Sequence, residues 1–251
     1  MFFLYTLTGL LVGTIIGMTG VGGGSLMTPV LIFGFGIPPA IAIGTDLLFA
    51  GITKAGGSLT YAIQGQVDWP VCLALTAGSI PSALITLLAE TYLGRPDSHV
   101  LALVLGFALL LTGIALLFKE KLLAGKIRAG CTPASAIRLT VLAGIAIGAL
   151  VTITSVGAGA IGLALLLALY PDRPTKKLIA SDVMHTVPLT LIAGFGQLKL
   201  GAIDLHLLAG LLIGSLPGIW LGKKIGDQIP ERLMQKLLAV LLTGIGLKFI
   251  S

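Results

Sequence analysis

GTIIGMTGVGGGSL, residues Gly13 to Leu26, returns further along the chain as GALVTITSVGAGAI, residues Gly148 to Ile161. The polar triplet Gly44-Thr45-Asp46 returns as Ala180-Ser181-Asp182, and Gly65-x-Val67-Asp68 as Gly201-x-Ile203-Asp204. Gly78-Ser79-Ile80-Pro81 is matched by Gly214-Ser215-Leu216-Pro217, and Thr112-Gly113-Ile114 by Thr243-Gly244-Ile245. The matches keep one order and almost the same offset, so the chain reads as a tandem of two related halves.

Composition sets the solvent in which those halves fold. Of 251 residues, 56% are hydrophobic and only 10% charged, and the mean hydropathy is +1.06. A soluble domain carries about 25% charged residues, so this apolar surface points to a bilayer. Tandem repeats in an apolar chain suggest a secondary transporter with substrate held between the halves. The two cysteines, Cys72 in an apolar segment and Cys131 in a basic loop, have neither metal-ligand nor CxxC spacing. The segment from Phe2 lacks a basic leader region and reads as a retained helix.

Glycine, proline and short polar clusters divide each half into five apolar segments. The first five run from Phe2 to Met18, Ser25 to Phe35, Pro39 to Ala62, Trp69 to Leu93 and His99 to Phe118. The second five run from Leu139 to Ile153, Gly159 to Tyr170, Thr175 to Phe195, Asp204 to Leu221 and Leu233 to Ile250. The second segment of each half is short, covering about 18 Å as a helix against a hydrocarbon core of about 30 Å. With its predecessor it predicts a broken helix or a re-entrant hairpin whose Gly-rich tip lies inside the membrane. Ten spans, or six spans with two hairpins, both satisfy the sequence.

If the chain reverses side at every segment, one face receives the lysines and arginines of 119–138, 173–177 and 223–236, and the other only Arg95, Lys199 and Lys248. The positive-inside rule makes the rich face cytoplasmic and puts both termini outside, in a cell inner membrane. The net charge of +6 is then a topology signal and calls for no nucleic-acid partner. Equivalent loops of the two halves fall on opposite faces, so the repeats are expected to be inverted. The expected fold is an all-α polytopic membrane protein: residues 1–118 a first repeat, 119–138 a basic cytoplasmic linker, 139–251 a second, inverted repeat.

The glycine clusters carry the strongest chemical signal. In the stretch containing Thr19, Gly22, Gly23, Gly24 and Ser25, and in that containing Thr154, Ser155, Gly157 and Gly159, small residues let the backbone turn sharply and a ligand approach it. A helix beginning after each cluster would turn amide groups and its positive dipole end toward an anion. The same glycines would also serve close helix packing.

The pattern GxxGxGGGxLxxPxL from Gly17 to Leu31, followed by GTDLLF at Gly44 to Phe49 and a degenerate second copy, resembles the sulfite exporter TauE/SafE family. The resemblance runs essentially end to end. It implies an inner-membrane permease for small sulfur-containing anions such as sulfite, thiosulfate or organosulfonates. The second copy departs from the first, with Ala158 in place of Gly23 and His185 in place of Phe49.

Ionisable residues inside the apolar segments are few, since a charge at mid-membrane costs at least about 2.5 kcal/mol on insertion scales. Asp46 and Asp182 are repeat equivalents and are candidates for proton coupling or for supporting the glycine tips. Alternatively, Thr45-Asp46 and Ser181-Asp182 cap broken helices. Lys54, eight residues beyond Asp46 on the same helix side, reads as a counter-charge for an anion, as a partner for an acid, or as a snorkelling side chain. His185 follows Asp182 by three residues and reads as a proton carrier or a hydrogen-bonded packing residue. Asp68 and Asp204 are expected to be helix N-caps, and Pro81 and Pro217 to kink the fourth helix of each half.

The candidate substrate site is therefore Thr19, Gly22, Gly23, Gly24, Ser25, Thr45, Lys54, Thr154, Ser155, Gly157, Gly159 and Ser181, with Asp46, Asp182 and His185 coupling or supporting it. No nucleotide-binding loop, metal-ligand cluster or nucleophile-histidine-acid set is legible, so neither an enzyme nor a cofactor or metal is expected. The expected partners are a small anion and the lipid bilayer, and a homo-oligomer is compatible with the sequence. Alternating access is the expected mechanism, with a passive anion channel as the alternative.

Overall fold

In hydrocarbon a chain must satisfy every backbone N–H and C=O internally, and uncharged runs of Leu, Ala, Ile and Val do so as helices. The computed structural model describes residues 1–19, 24–123, 132–226 and 231–250, and every element among them is an α-helix. The first half holds α1 (Phe2–Thr19), α2 (Gly24–Phe35), α3 (Pro39–Ile63), α4 (Trp69–Leu93) and α5 (Ser98–Leu123). The second holds α6 (Pro133–Thr154), α7 (Ala160–Leu169), α8 (Thr175–Lys199), α9 (Leu205–Gly226) and α10 (Glu231–Ile250).

Among the described residues, six helices, α4, α5, α6, α8, α9 and α10, contain stretches long and apolar enough to cross a membrane. Their outward faces carry exposed Leu73, Ile85, Phe107, Ile145, Leu237 and Val240, a surface suited to lipid and not to water. The chain is a multi-pass membrane protein. At 12 and 10 residues, α2 and α7 reach only about 18 and 15 Å, short of the hydrocarbon thickness.

The major helix contacts come in pairs that interchange when the halves are exchanged. α1 packs on α9 and α6 on α4; α2 packs on α3 and α7 on α8; α4 packs on α8 and α9 on α3. The contacts of α3 with α8 and of α5 with α10 are their own counterparts, whereas α5 packs on α7 more extensively than α10 does on α2. The correspondence holds at single residues. A Cβ on Gly9 or Gly13 would strike the backbone of Leu211 or Ser215, and one on Gly144 or Gly148 would strike that of Leu75 or Ser79. Conversely, a Cβ on Gly214 would run into Thr6 and Leu10, and one on Gly78 into Val141 and Ile145. Glycine is required along both seams because the helices touch backbone to backbone.

Three details differ from expectation. Helix α5 continues to Leu123 and α6 begins at Pro133, so helix extends into the basic linker from both sides. Lys-Glu-Lys-Leu-Leu is good helix-forming sequence, and Thr132 caps α6, its side chain accepting from the Ser135 amide, with proline at the first helical position. Asp204 caps α9, its Oδ1 accepting from the amides of His206 and Leu207 at 2.9 Å. Asp68 stands at the N-cap position of α4 but makes no side-chain cap, because its Oδ2 accepts from Arg173 Nη1 at 2.6 Å. Finally, α3 and α8 run unbroken through Thr45-Asp46 and Ser181-Asp182, so these pairs cap no break in their own helices.

Candidate functional site

Asp46 and Asp182 are each the eighth residue of a 25-residue helix, in α3 and α8, which pack on each other at the centre of the bundle. Both acids are buried. Asp46 Oδ2 accepts a hydrogen bond from Thr28 Oγ1 of α2 at 2.5 Å, while its Oδ1 has no partner among the described residues. Asp182 packs against Gly162 of α7 so closely that a Cβ there would overlap its Oδ1, which also has no partner. Each acid thus reaches from a long central helix to the short helix of its own half.

Lys54, half-buried on α3, lies within electrostatic range of both acids and of His185. It is the cation they share. His185 is fully buried and meets Ser79 of α4 through its Nε2 at 3.0 Å; its Nδ1 has no partner among the described residues. The backbone of Ser155 is left-handed, at φ 60°, and its amide donates to Val151 O at 2.7 Å to close α6. The Ser155 side chain lies near Asp46, and its Oγ has no hydrogen-bond partner among the described residues. Four buried polar groups thus have spare bonding capacity, and Lys54 lies within electrostatic range of three of them. A buried polar group without a partner is costly, which is why such clusters mark sites and not packing.

The second glycine cluster bends as its composition predicts, with Gly157 at φ +110° and Gly159 at φ +113°, conformations that L side chains rarely adopt. The amides of Ile161, Gly162 and Leu163 are accepted by the carbonyls of Gly157 and Gly159. An anion at this tip would use the amides of the turn itself, or compete with those carbonyls. In the first cluster Gly22 and Gly23 lie outside the described residues, Thr19 and Gly24 are placed only as helix ends, and Ser25 is buried in the first turn of α2.

Three hydroxyls named from sequence are committed to holding the fold. Thr154 Oγ1 donates to Leu150 O at 2.6 Å and accepts from Val156 N at 3.1 Å. Thr45 Oγ1 accepts from the amide of Asp204 at 3.2 Å, and Ser181 Oγ from the amide of Asp68 at 2.8 Å. These two do cap helices, but each caps the start of a helix in the other half. The position next to each hydroxyl is the acid, so both hydroxyl-acid pairs join the centre to the opposite repeat.

Sequence reasoning missed Thr28, Ser79 and Gly162. Ser79 lies in the repeated Gly-Ser-x-Pro and Thr28 in the glycine motif, but nothing in those motifs separates a site hydroxyl from one bonded to its own helix. It also missed the polar groups at the ends of α4. Gln197 Nε2 donates to Glu90 Oε2 at 2.7 Å while Arg95 Nη2 donates to Gln197 Oε1 at 2.9 Å.

The family described as sulfite exporter TauE/SafE matches residues 5–249. The probable membrane transporter protein YjnA of Bacillus subtilis is 33% identical, over 97% of this chain and 98% of that protein. A second probable membrane transporter of that organism, YdhB, is 24% identical over 85% of this chain and 86% of its own length. A probable membrane transporter protein of Xylella fastidiosa is 33% identical over 44% of this chain and 42% of that protein. No solved structure matches. With that match across nearly its whole length, on a bundle of apolar helices around buried acids and a lysine, the chain belongs to the sulfite exporter TauE/SafE family and is a membrane transporter, not an enzyme.

Proposed function

We propose that this transporter moves small sulfur-containing anions, such as sulfite, thiosulfate or organosulfonates, by alternating access between two inverted repeats, and that protons drive it. The observation that carries the reading is a lysine within electrostatic range of two repeat-related acids and of His185, in a bundle where Ser155 and His185 also hold spare polar atoms. Lys54 supplies the positive charge an anion needs at mid-bundle, and hydroxyl, imidazole and turn amides supply donors. Asp46 and Asp182 compete with the anion for Lys54. Protonation of an acid frees the lysine for substrate, which couples the proton to the anion. Reciprocal packing of the halves supports the same mechanism, since exchanging their conformations would turn the site from one face to the other. The basic loops support a linker on the cytoplasmic side of a cell's inner membrane, with both termini outside.

Purified protein in liposomes, given radiolabelled sulfite, thiosulfate or sulfoacetate and an imposed pH gradient, should accumulate at least one of them above equilibrium. Lys54→Gln should abolish accumulation while eluting as a monodisperse protein. Mere equilibration would indicate a channel, and normal accumulation by Lys54→Gln would remove the lysine from the site.

A further inference from the structure

Helix α4 meets α8 through polar links at three depths. At its start, Asp68 receives Arg173 on its carboxylate at 2.6 Å and gives its amide to Ser181 Oγ at 2.8 Å. Halfway along, Ser79 meets His185 at 3.0 Å. Near its end, buried Glu90 accepts from buried Gln197 at 2.7 Å, and Gln197 is held in turn by Arg95 at 2.9 Å. Ser79 is eleven residues from Asp68 and eleven from Glu90, so the outer links stand about 33 Å apart with the central site between them.

The counterpart seam between α9 and α3 packs in the same way and, among the described residues, keeps only the amide link at its start. Asp204 spends its carboxylate on capping its own helix, and there Thr45 is the bridge. Ser215, the counterpart of Ser79, donates to Leu212 O within α9, and Phe49, the counterpart of His185, is buried in an apolar core. Among the described residues, one seam is thus fastened by polar contacts at both ends, and the other by one at its start.

Resting on the transporter reading above, we propose that the α4–α8 seam is the moving gate, closed toward the basic face by Asp68, Arg173 and Ser181 and toward the opposite face by Glu90, Gln197 and Arg95, the two locks releasing in turn about the Ser79–His185 link. Polar locks at the ends of a bundle open cheaply because water replaces each lost hydrogen bond, whereas the glycine-packed seams lose contact over their whole length. Arg173 is already half exposed, and Asp68 Oδ1 is unpartnered among the described residues, so the basic-face lock rests on a single ionic contact. The other lock borders a crevice walled by Ala40, Ile43 and Ile153.

The protein holds its own reporter. Cys72 is buried one turn into α4, packed with Val67 and with Ala180 and Met184 of α8, and Cys131 is the other cysteine. In Cys131→Ser protein, the rate at which an impermeant maleimide labels Cys72 from the basic face reads opening of that end. Arg173→Gln should raise the rate about fivefold and Arg95→Gln lower it by a similar factor, because loosening one lock moves population away from opening the other. The double swap Asp68→Arg/Arg173→Asp should return the rate to that of Cys131→Ser, and it keeps the test alive if the single variant folds poorly. Equal rates in all variants, or shifts of the same sign for Arg173→Gln and Arg95→Gln, would overturn the gate while leaving anion accumulation in liposomes intact. Shifted rates in a protein that accumulates no anion would instead overturn the transport reading and leave the two locks standing.

Discussion

At the scale of residues, the proposed coupling is a competition for one lysine. Asp46 and Asp182 both lie within range of Lys54, yet their other contacts differ: Asp46 accepts from Thr28, whereas Asp182 packs on Gly162. Asparagine preserves shape and most hydrogen bonding at either position while removing titration. If the acids carry the coupling proton, Asp46→Asn and Asp182→Asn should each lose pH-driven accumulation in liposomes and keep exchange of labelled for unlabelled anion. Accumulation with its normal pH dependence in both variants would confine the aspartates to a structural role and leave His185 as the proton carrier. The ionisable members of this site were legible in sequence, because an Asp, Lys or His in an apolar segment stands out against its surroundings. Thr28 and Ser79 were not. Most threonines in this bundle, such as Thr140, Thr152 and Thr190, bond a carbonyl of their own helix, so a hydroxyl that instead reaches an acid or histidine on another helix has no distinguishing spacing.

At the scale of elements, the two glycine seams should respond alike. Gly78 in α4 faces the backbone of α6, and Gly214 in α9 faces that of α1, through matching positions. Valine at either site would force the helices apart and cost more than about 3 kcal/mol, since the overlap is with backbone that cannot rotate away. Thermal unfolding in detergent should show Gly78→Val and Gly214→Val destabilised to a similar degree, and tolerance of one with loss of the other would show the seams to be unequal. Helix positions were largely readable from punctuation: α4 runs from Trp69 to Leu93 as the sequence predicts, and both short helices follow their glycine clusters. The linker boundaries were less so, because apolarity ends where a helix leaves the membrane while the helix itself continues. Nor was the trans capping by Thr45 and Ser181 readable, since a hydroxyl's partner on another helix depends on packing and not on local sequence.

At the scale of the whole molecule, helices that are apolar on every side give no periodic stripe to say which neighbour each will meet. The class of fold and the membrane environment follow from composition, but the pairing of α1 with α9 and of α6 with α4 required the structure. The transport reading requires that the two halves, packed reciprocally, sit in the membrane upside down relative to each other and share one anion site. The loops at Gln64 and Lys199 occupy matching places, between the third and fourth helices of each half, and both residues are exposed. In protein lacking its two native cysteines, Gln64→Cys and Lys199→Cys, introduced singly, should label from opposite sides. An impermeant maleimide added to intact cells should modify Lys199→Cys at once and Gln64→Cys only after the membrane is opened. Labelling of both from the same side would contradict the inverted arrangement, and with it the exchange of the two halves on which alternating access depends.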